Sequence, residues 1–401
     1  MTRELLELDG TAGGGQLIRT ALTLSVLDAR PFRMESVRGN RASPGIKRQH
    51  LACVDLLAEL TDADVSGAEI GSETLTFEPN GPERGVIASN AVADADTVTD
   101  VDTVTDADSP GPAEVEIDVG TAGSVTLVAD VLLPLAARIS TPIRATLVGG
   151  TDVKWSPPAD YLRFVKLPLL RECGLNGAIE VTRRGFYPKG GGELAVDVRP
   201  SVLEPIEFDG RRDDLDTDAE ASGTGDAPSL DWSIHAIASE ALEDASVGTR
   251  LAETATTSLV EQDVAVDPDA RVSYVESLSP GAVLTLVAEG VSPSESGQRP
   301  RPTARAGFSA YGERGVPSED VAAEAVDAAV EWAATDAPID PHLGDQLVVW
   351  LALAGGSVRI PRVTDHVRTN VEVVRAFGYD VSIGEESEGP EATLSAPVKQ
   401  R

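Results

Sequence analysis

The sequence predicts an α/β protein whose core consists of three repeated βαβαββ-type units, and the repeats are the main evidence for it. Gly10-Thr11-Ala12-Gly13 recurs as Gly120-Thr121-Ala122-Gly123. Each copy comes after a strand-like run and precedes a helix-like run, so both mark the same turn of one unit. A third, looser copy begins with the helix-like run from Asp345 to Leu353. Three such units predict a pseudo-threefold core.

Each unit continues in the same order, with a short strand, a second helix and closing strands. The first strands of units one and two are Glu4 to Leu8 and Glu114 to Val119. Their first helices are Gln16 to Leu27 and Val125 to Ala137. The short strands are Phe32 to Val37, Ile143 to Val148 and Val358 to Ile360. The second helices open on proline or a Thr/Asp cap and run Pro44 to Leu60, Pro157 to Cys173 and Thr364 to Phe377. The closing strands are Thr74 to Phe77, Ile179 to Thr182, Glu193 to Val198 and Asp380 to Ile383.

Two acidic segments interrupt the repeats. Residues 89–112 contain Asp-Thr-Val-Thr-Asp twice and show no core-forming periodicity, so we expect a solvated loop insertion there. Residues 204–336 carry strands and helices of their own around the acidic stretch 211–229, which predicts an inserted α/β domain. The predicted domains are therefore 1–203 with units one and two, 204–336 as the insertion, and 337–401 with unit three.

The composition favours a folded protein with an acidic surface. Of 401 residues 41 % are apolar, which argues against a disordered chain, and the formal net charge is −33. Only five of the 33 basic residues are lysine. Carboxylates hold water and ions in molar salt, where charges are screened within about 3 Å. The balance predicts adaptation to a salt-rich cytoplasm, and by itself it argues against a nucleic-acid partner.

Cysteine usage and hydropathy limit the possible locations of the chain. Cys53 and Cys173 lie in apolar helical contexts, which argues against a disulfide framework or a zinc site. No apolar run reaches membrane-spanning length, and the N-terminus lacks the apolar region of a signal peptide. We therefore expect a cytoplasmic protein without membrane association, and the sequence leaves its oligomeric state open.

A glycine turn from Gly10 to Gly15 joins the first strand to the first helix. Where side chains are missing, a phosphate can approach backbone N–H groups at the positive end of a helix, and Arg19 lies one turn further on. The turn is neither a Walker loop nor a dinucleotide-binding fingerprint. The alternative is a tight turn whose glycines only supply positive φ.

The segment from Arg38 to His50 reverses the charge of the chain locally. From Arg33 to His50, with both ends counted, there are five Arg or Lys residues and one acid, although acids outnumber bases two to one overall. Such a reversal is costly unless an anion binds there, and phosphate oxygens of RNA or a nucleotide are the natural ligand. The alternative is a helix-capping loop whose arginines pair with nearby carboxylates.

His366 lies at the start of a predicted helix. The helix dipole disfavours a protonated imidazole, so a nitrogen lone pair is available near neutral pH. Such a nitrogen suits attack on the α-phosphorus of a nucleoside triphosphate, which gives a phosphoramidate. Taken alone, the position is more typical of an exposed capping histidine, and Asp345, just ahead of another helix, is more typical of an N-cap.

Together, and in the same order, these motifs resemble those of the RNA 3′-terminal phosphate cyclase family. The segment from Arg38 to His50 is similar to the family's Arg-x-x-Arg…Pro-Gly…Arg-Gln-His motif, and His342 to Leu347 to its His-Leu-Ala-Asp-Gln-Leu motif. The resemblance implies catalytic roles for His366 and Asp345 and a thioredoxin-like topology for the inserted domain. It implies nucleotide or phosphate binding by Gly13, Gly14, Gln16, Arg19, Arg38, Arg41, Arg48, Gln49, His50, Pro157, Pro158, His342 and Gln346.

The resemblance also implies a reaction, which is the ATP-dependent conversion of an RNA 3′-terminal phosphate to a 2′,3′-cyclic phosphate. A covalent histidine–AMP and an RNA-adenylate would be the intermediates, with ATP and Mg²⁺ or Mn²⁺ as cofactors and RNA 3′-phosphate ends as partners. Asp345 would orient His366 or help hold the metal. The glutamate of the family's glycine loop is absent here, which leaves the other metal ligands unassigned. Because phosphate contacts weaken as salt rises, we expect recognition of only a few terminal nucleotides.

Two other functions compete with this one. A non-catalytic ribosome-assembly factor of the same fold is the main alternative, and the presence of His366 argues against it because such relatives lack the nucleophilic histidine. An enolpyruvyl transferase shares the repeated architecture, but it should have more repeats of the unit and no inserted domain.

Overall fold

The computed structural model describes residues 4–80, 111–210, 230–291, 302–385 and 389–398. Most of the predicted loop insertion, residues 89–110, and the acidic stretch 211–229 lie outside these ranges. The mixed α/β class that the sequence predicts is confirmed. None of the helices in the described part of the chain combines the length and apolar character that crossing a bilayer requires.

Unit one is a four-stranded sheet covered by two helices. Its elements are β1 (Leu6–Asp9), α1 (Gly15–Asp28), β2 (Phe32–Glu35), α2 (Arg48–Thr61), β3 (Asp64–Ser66) and β4 (Leu75–Glu78). The strand order is β1-β2-β4-β3, with β1 and β2 parallel and the other neighbours antiparallel. Strands β1, β2 and β4 alternate between more and less buried residues, as expected when only one face of a sheet packs on helices.

Unit two repeats this arrangement. Its elements are β5 (Ala113–Asp118), α3 (Val125–Leu132) with a 3₁₀ extension (Leu133–Ala137), β6 (Ile143–Gly149), α4, β7 (Gly177–Arg183) and β8 (Gly192–Val198). Helix α4 consists of Ala159–Tyr161, a π-helical turn at Leu162–Lys166, and Leu167–Glu172. The strand order β5-β6-β8-β7 and the strand directions match those of unit one.

The rest of the chain forms an inserted sheet and a third core sheet. After β9 (Ile206–Phe208) come β10 (Leu230–Ser239), α5 (Val247–Glu261), β11 (Asp269–Val275), β12 (Ala282–Val291), β13 (Pro302–Tyr311) and α6 (Ser318–Ala333). The last elements are α7 (Pro341–Gln346), α8 (Val348–Ala354), β14 (Gly356–Ile360), α9 (Asp365–Ala376), β15 (Ser382–Glu385) and β16 (Ala392–Ala396). The inserted sheet has the order β11-β10-β12-β13, and the third core sheet has the order β15-β16-β14-β9.

The third core sheet takes its first strand from before the insertion. Strand β9 pairs in parallel with β14, so this sheet repeats the order and directions of the first two. We propose that the inserted domain begins after Phe208 rather than at residue 204, because β9 belongs to the core. The pseudo-threefold arrangement and the thioredoxin-like description of the insertion stay predictions.

Two separate apolar clusters support this division. One joins the helices and sheets of all three units, including Phe32 and Phe77, and the other lies within the inserted sheet and its helices around Trp232 and Trp332. Each large side chain that is fully removed from water contributes about 1.5–3 kcal/mol. Each cluster is therefore large enough to hold its own layer of helices against its own sheet.

Several helix starts differ from the prediction. Helix α2 begins at Arg48 rather than Pro44, because Gly45 adopts a left-handed φ of 79° and a Cβ atom there would lie 2.4 Å from the carbonyl oxygen of Gly71. Arg48 is therefore in the first position of the helix and not one turn inside it. Helix α4 begins at Ala159, two residues after Pro157.

The helix in unit three also begins elsewhere than predicted. Helix α7 begins at Pro341, and its N-cap is Asp340, whose carboxylate accepts hydrogen bonds from the backbone N–H groups of His342 and Leu343. Asp345 thus lies inside helix α7, so the N-cap interpretation of this residue is wrong.

Candidate active site

A cleft of about 1480 Å³ brings together nearly all the predicted site residues. Fourteen of the fifteen line it: Gly14, Gln16, Arg19, Arg38, Arg41, Arg48, Gln49, His50, Pro157, Pro158, His342, Asp345, Gln346 and His366. The exception is Gly13, which packs against Leu17 so closely that a Cβ atom would lie 2.2 Å from that side chain. Gly307, Phe308, Ser309 and Tyr311 of β13 also line this cleft, so residues from all three core units and from the insertion share one cavity.

The glycine turn allows close approach and does not supply unusual backbone angles. None of the four glycines between Gly10 and Gly15 has a positive φ, which excludes the alternative interpretation of the turn. A Cβ atom on Gly14 would lie 3.0 Å from Nη2 of Arg41 and 3.5 Å from Cε1 of His366. Gly14 is thus the point at which an arginine of unit one and the histidine of unit three approach each other.

Helix α1 presents an open N-terminus to this cleft. Its N-cap, Gly14, has no side chain to accept a hydrogen bond, and its first turn contains no acidic residue. Gly14, Gly15 and Gln16 all line the cleft. Backbone N–H groups and the positive end of a 14-residue helix therefore face a space in which a phosphate could bind.

The arginines of unit one that line the cleft have no carboxylate partner among the described residues. Among the described residues, Arg19, Arg41 and Arg48 form no ion pair, which argues against the alternative of a self-paired capping loop. Arg38 has a different role, since its Nη1 donates hydrogen bonds to the carbonyl groups of Ser43 and Gly45. Arg38 therefore holds the basic loop in shape, and the other three guanidinium groups remain available to an anion.

His50 is a buried neutral histidine in the wall of the cleft. Its Nδ1 accepts a hydrogen bond from the backbone N–H of Lys47 at 3.1 Å, so Nε2 carries the proton. Burial, followed by the charges of Arg19, Arg38 and Lys47, lowers the pKa of His50 to about 3. Nε2 has no partner among the described residues and lies against Gly15. A buried donor without a partner is costly and is ready for an acceptor from a ligand.

His366 is exposed and lies in the first turn of α9. The hydroxyl of Thr364 caps this helix by accepting a hydrogen bond from the N–H of Val367. Desolvation, followed by the charges of Arg41 and Arg19, lowers the pKa of His366. The direction favours the neutral ring that the sequence predicts, but the causes are desolvation and then the neighbouring arginines rather than the helix end.

Asp345, in helix α7, connects helix α1 of unit one to helix α9 of unit three through its backbone. Its backbone carbonyl accepts hydrogen bonds from Nε2 of Gln16 and Nδ2 of Asn370, while Oδ1 of Asn370 accepts one from Thr20. Desolvation raises the pKa of the Asp345 carboxyl to about 7, and Lys166 opposes the rise. The carboxyl can therefore exchange a proton near neutral pH.

A second, fully buried carboxylate fixes the position of helix α7. Besides capping α7, Asp340 accepts hydrogen bonds from the hydroxyl of Tyr161 and from the backbone N–H of Gly307. It thereby links unit two, the inserted sheet and the helix that carries Asp345. Desolvation raises the pKa of Asp340. This network holds the Asp345 side of the cleft in place relative to Pro158 and Tyr161, which line another side.

The side chains of this cleft could supply only some of the ligands of a divalent cation, and the rest would have to come from a substrate and water. Within the described ranges, no group of three or more His, Cys, Asp or Glu residues could hold a metal ion. Asp345 and Asp130 line the cleft, and Asp130 is paired with Lys166. Mg²⁺ often takes one or two carboxylates and completes its shell with water and phosphate oxygens. Asp345 suits that role, because no described residue donates a hydrogen bond to its carboxyl group.

Comparison with known proteins agrees with this geometry. A profile described as RNA 3′-terminal phosphate cyclase matches residues 11–383. The chain belongs to the RNA 3′-terminal phosphate cyclase family. Relatives with that name include one from Halobacterium salinarum, 39 % identical over 95 % of this chain and 97 % of its own length. Another, from Pyrococcus furiosus, is 33 % identical over 93 % of each chain.

Some cleft residues of this cyclase family member escaped sequence reasoning. Lys166 and Asp130 form a buried ion pair of 2.7 Å, and Asn370 joins α9 to α1 and α7. A lysine in the middle of an apolar helix was a usable signal, because a buried amine requires an acidic partner. Trp155, which precedes the predicted residues Pro157 and Pro158, also lines the cleft.

Proposed function

We propose that the protein is an ATP-dependent RNA 3′-phosphate cyclase that works through a covalent histidine–AMP intermediate. One observation carries the proposal, which is that the exposed His366 ring and the Arg41 guanidinium both lie next to Gly14 in one cleft. A neutral nitrogen nucleophile thus lies beside a cation that can stabilise charge on phosphate oxygens. Membership of the family supports the same reaction.

The proposed reaction has three steps at phosphorus. A ring nitrogen of His366 attacks the α-phosphorus of ATP, and pyrophosphate leaves as the N–P bond forms. An oxygen of the RNA 3′-phosphate then attacks the same phosphorus, which breaks the N–P bond and gives an RNA-adenylate. Finally the neighbouring 2′-hydroxyl loses its proton and attacks the 3′-phosphorus, AMP leaves, and a 2′,3′-cyclic phosphate remains.

Several groups of the cleft would have roles in these steps that agree with their contacts. Negative charge develops on non-bridging oxygens in every step, so Arg19, Arg41 and the N–H groups at the start of α1 would stabilise it electrostatically. His50 would donate its buried Nε2–H to a phosphate oxygen. Asp345 would orient His366 or hold a divalent cation, which when bound supplies further neutralisation of phosphate charge.

The first step can be tested without RNA. Incubation with ATP labelled at the α-phosphate and Mg²⁺ or Mn²⁺ should leave acid-labile label on the wild-type protein. His366→Ala should remove the label. His235→Gln is the matched control, because His235 is the one histidine of this chain that does not line the cleft, and it should retain the label. Absence of label on the wild type, or label on His366→Ala, would contradict the mechanism.

The later steps can be separated by the choice of RNA end. An oligonucleotide with a 3′-phosphate and a terminal 2′-hydroxyl should give the cyclic product. The same oligonucleotide with a terminal 2′-deoxy sugar should stop at the RNA-adenylate, because the third nucleophile is missing. An oligonucleotide with a 3′-hydroxyl should give neither. A wild-type protein that binds RNA ends but never forms an adenylate would favour the non-catalytic alternative.

A further inference from the structure

Trp155 is a large aromatic side chain at the mouth of the cleft. It is 97 % exposed and yet lines the cavity, whereas Trp232, Trp332 and Trp350, the other tryptophans of the chain, are at most 5 % exposed. No ring or guanidinium group of the described residues stacks on its indole. Because the indole is almost fully exposed, packing within the protein does not explain why a tryptophan lies at this position.

The backbone at Trp155 is in an unfavourable conformation. Its φ is 63°, in the left-handed region that glycine adopts freely and that a bulky side chain adopts at a cost. A residue of this kind persists only where its surroundings impose it, and such positions cluster at ligand-binding sites. The indole therefore points outward by constraint and not because the loop is unstructured.

The constraint comes from hydrogen bonds to the two residues after Trp155. The hydroxyl of Tyr311 donates to the carbonyl of Ser156 at 2.6 Å, and the hydroxyl of Thr126 donates to the carbonyl of Pro157 at 2.7 Å. One bond comes from the inserted sheet and the other from the helix of unit two. The loop is thus fixed from two directions, and its exposed ring is held ready for a ligand.

The size of the cleft leaves room for more than ATP. Small-molecule pockets usually measure about 300–1000 Å³, and this cleft measures about 1480 Å³. The phosphate-binding groups gather around Gly14, His366 and Arg41. An RNA end whose phosphate reaches these groups must leave through the mouth, where its last nucleobases would meet an aromatic ring.

We propose that Trp155 is a stacking platform for a nucleobase at the 3′ end of the RNA. This inference rests on the proposed function and names its RNA subsite. The net charge of −33 repels an RNA backbone outside the cleft, and counterion release contributes little in concentrated salt. Stacking depends on neither, and it tolerates any sequence because every base has an aromatic face.

Fluorescence provides a direct test, since Trp155 is the only exposed tryptophan. A short RNA with a 3′-phosphate, added without ATP, should quench the emission of the wild type in low and in molar salt. The same RNA should leave the emission of Trp155→Phe unchanged, and an RNA with abasic sugars at its last two positions should not quench the wild type. ATP alone should not quench either. Quenching by ATP alone, or equal quenching by the abasic RNA, would overturn the proposal.

Kinetics supply a second measurement. Trp155→Leu, which keeps apolar bulk but has no aromatic face, should raise KM for RNA about 10–100-fold and leave the rate of self-adenylation unchanged. Trp155→Phe should retain most of the wild-type KM. Trp155→Gly, which suits the observed φ and should fold, should behave like the leucine variant. If leucine and phenylalanine are equivalent, stacking is refuted, whereas a wild type without self-adenylation refutes the proposed function instead.

Discussion

The two glycine turns share the tetrapeptide Gly-Thr-Ala-Gly but differ in the residue directly after it. In unit one that residue, Gly14, leaves helix α1 without a side-chain cap and with room for Arg41 and His366. In unit two it is Ser124, whose hydroxyl accepts a hydrogen bond from the N–H of Leu127 and closes the start of α3. The same supersecondary unit thus has an uncapped helix start that opens into the cleft in unit one, and a helix start capped by serine in unit two.

The backbones of the two turns differ as well. Gly120 and Thr121 have φ values of 71° and 52°, whereas none of the residues between Gly10 and Gly15 has a positive φ. Glycine at position 120 therefore supplies conformation, while Gly14 supplies space. The comparison shows that a repeated motif does not imply a repeated function. The missing side chain and the missing cap distinguish the copy to which the proposed function assigns phosphate binding.

Removal of the guanidinium group beside the open turn should have the largest effect. We expect Arg41→Ala to slow self-adenylation about 100–1000-fold, as loss of a charge-stabilising donor does. Arg41 also lowers the pKa of His366, so its loss raises that pKa and moves the acid limb of the pH–rate profile to higher pH. Single-turnover rates across pH measure both effects.

Arg48 provides the matched control for this change. Its Nη1 lies 3.2 Å from a Cβ position built on Gly120, so it approaches the second, capped turn. Arg48→Ala should lower the rate less than Arg41→Ala and should leave the acid limb in place. Equal losses with both variants would show that the two turns contribute alike and would remove the distinction between them.

The pKa of Asp345 depends on charged residues of both helices that follow the glycine turns, Arg19 of α1 and Asp130 of α3. Titration of this carboxyl should therefore change the free energy of unfolding. Desolvation raises its pKa to about 7, with Arg19 and Lys166 opposing the rise and Asp130 adding to it. A carboxyl whose folded pKa lies above its unfolded value binds more protons when folded, so the folded state loses stability as pH rises from about 4 to 7.

Asp345→Asn removes this titration and should therefore raise the melting temperature at pH 8 while abolishing activity. We expect a gain of about 1–3 kcal/mol, since the cleft admits some water. Thermal unfolding at pH 5.5 and pH 8 measures the effect, and the gain should be smaller at the lower pH. A variant that is less stable than wild type at pH 8 would show that the carboxylate is held by partners and is not merely desolvated.

Much of this fold could be predicted because its signals are local. The repeated tetrapeptide, the alternating strands and the apolar helices predicted the order of units one and two, and the sheets of these two units have the same strand order. Strand β9 was missed because its three residues precede the insertion by sequence but pair with β14 some 150 residues later. No local pattern predicts a pairing of that kind.

The candidate site likewise contains residues that the sequence could predict and residues that depend on long-range packing. His366 and Arg41 could be chosen from sequence because their residue types suit phosphoryl chemistry and because their motifs resemble those of the family, but the pair Lys166–Asp130 arises only from the packing of α4 on α3. Likewise, the N-cap role that the residue type alone favours for Asp345 is wrong, because the capping carboxylate is Asp340, five residues earlier. Residue chemistry is readable from a sequence, whereas which of two nearby acids faces a cleft depends on tertiary packing.

Substitutions of the residues after the two tetrapeptides test the comparison most directly. Gly14 has extended backbone angles, φ −91° and ψ −163°, which serine can adopt, so Gly14→Ser should fold and gain a cap worth a few tenths of a kcal/mol. Its Cβ would lie 3.0 Å from Nη2 of Arg41, and the displaced guanidinium should slow self-adenylation about tenfold, equivalent to about 1.4 kcal/mol.

The corresponding test in unit two is Ser124→Ala, which removes the cap of α3. It should lower stability by about 1 kcal/mol and leave self-adenylation unchanged, because Ser124 does not line the cleft. Denaturant unfolding measures the free energy of unfolding of each variant, and single-turnover labelling measures its rate of self-adenylation. The two substitutions should thus affect opposite properties, with activity lost at the open turn and stability lost at the capped one. Full activity in Gly14→Ser would mean that space at Gly14 is not what distinguishes the reactive unit.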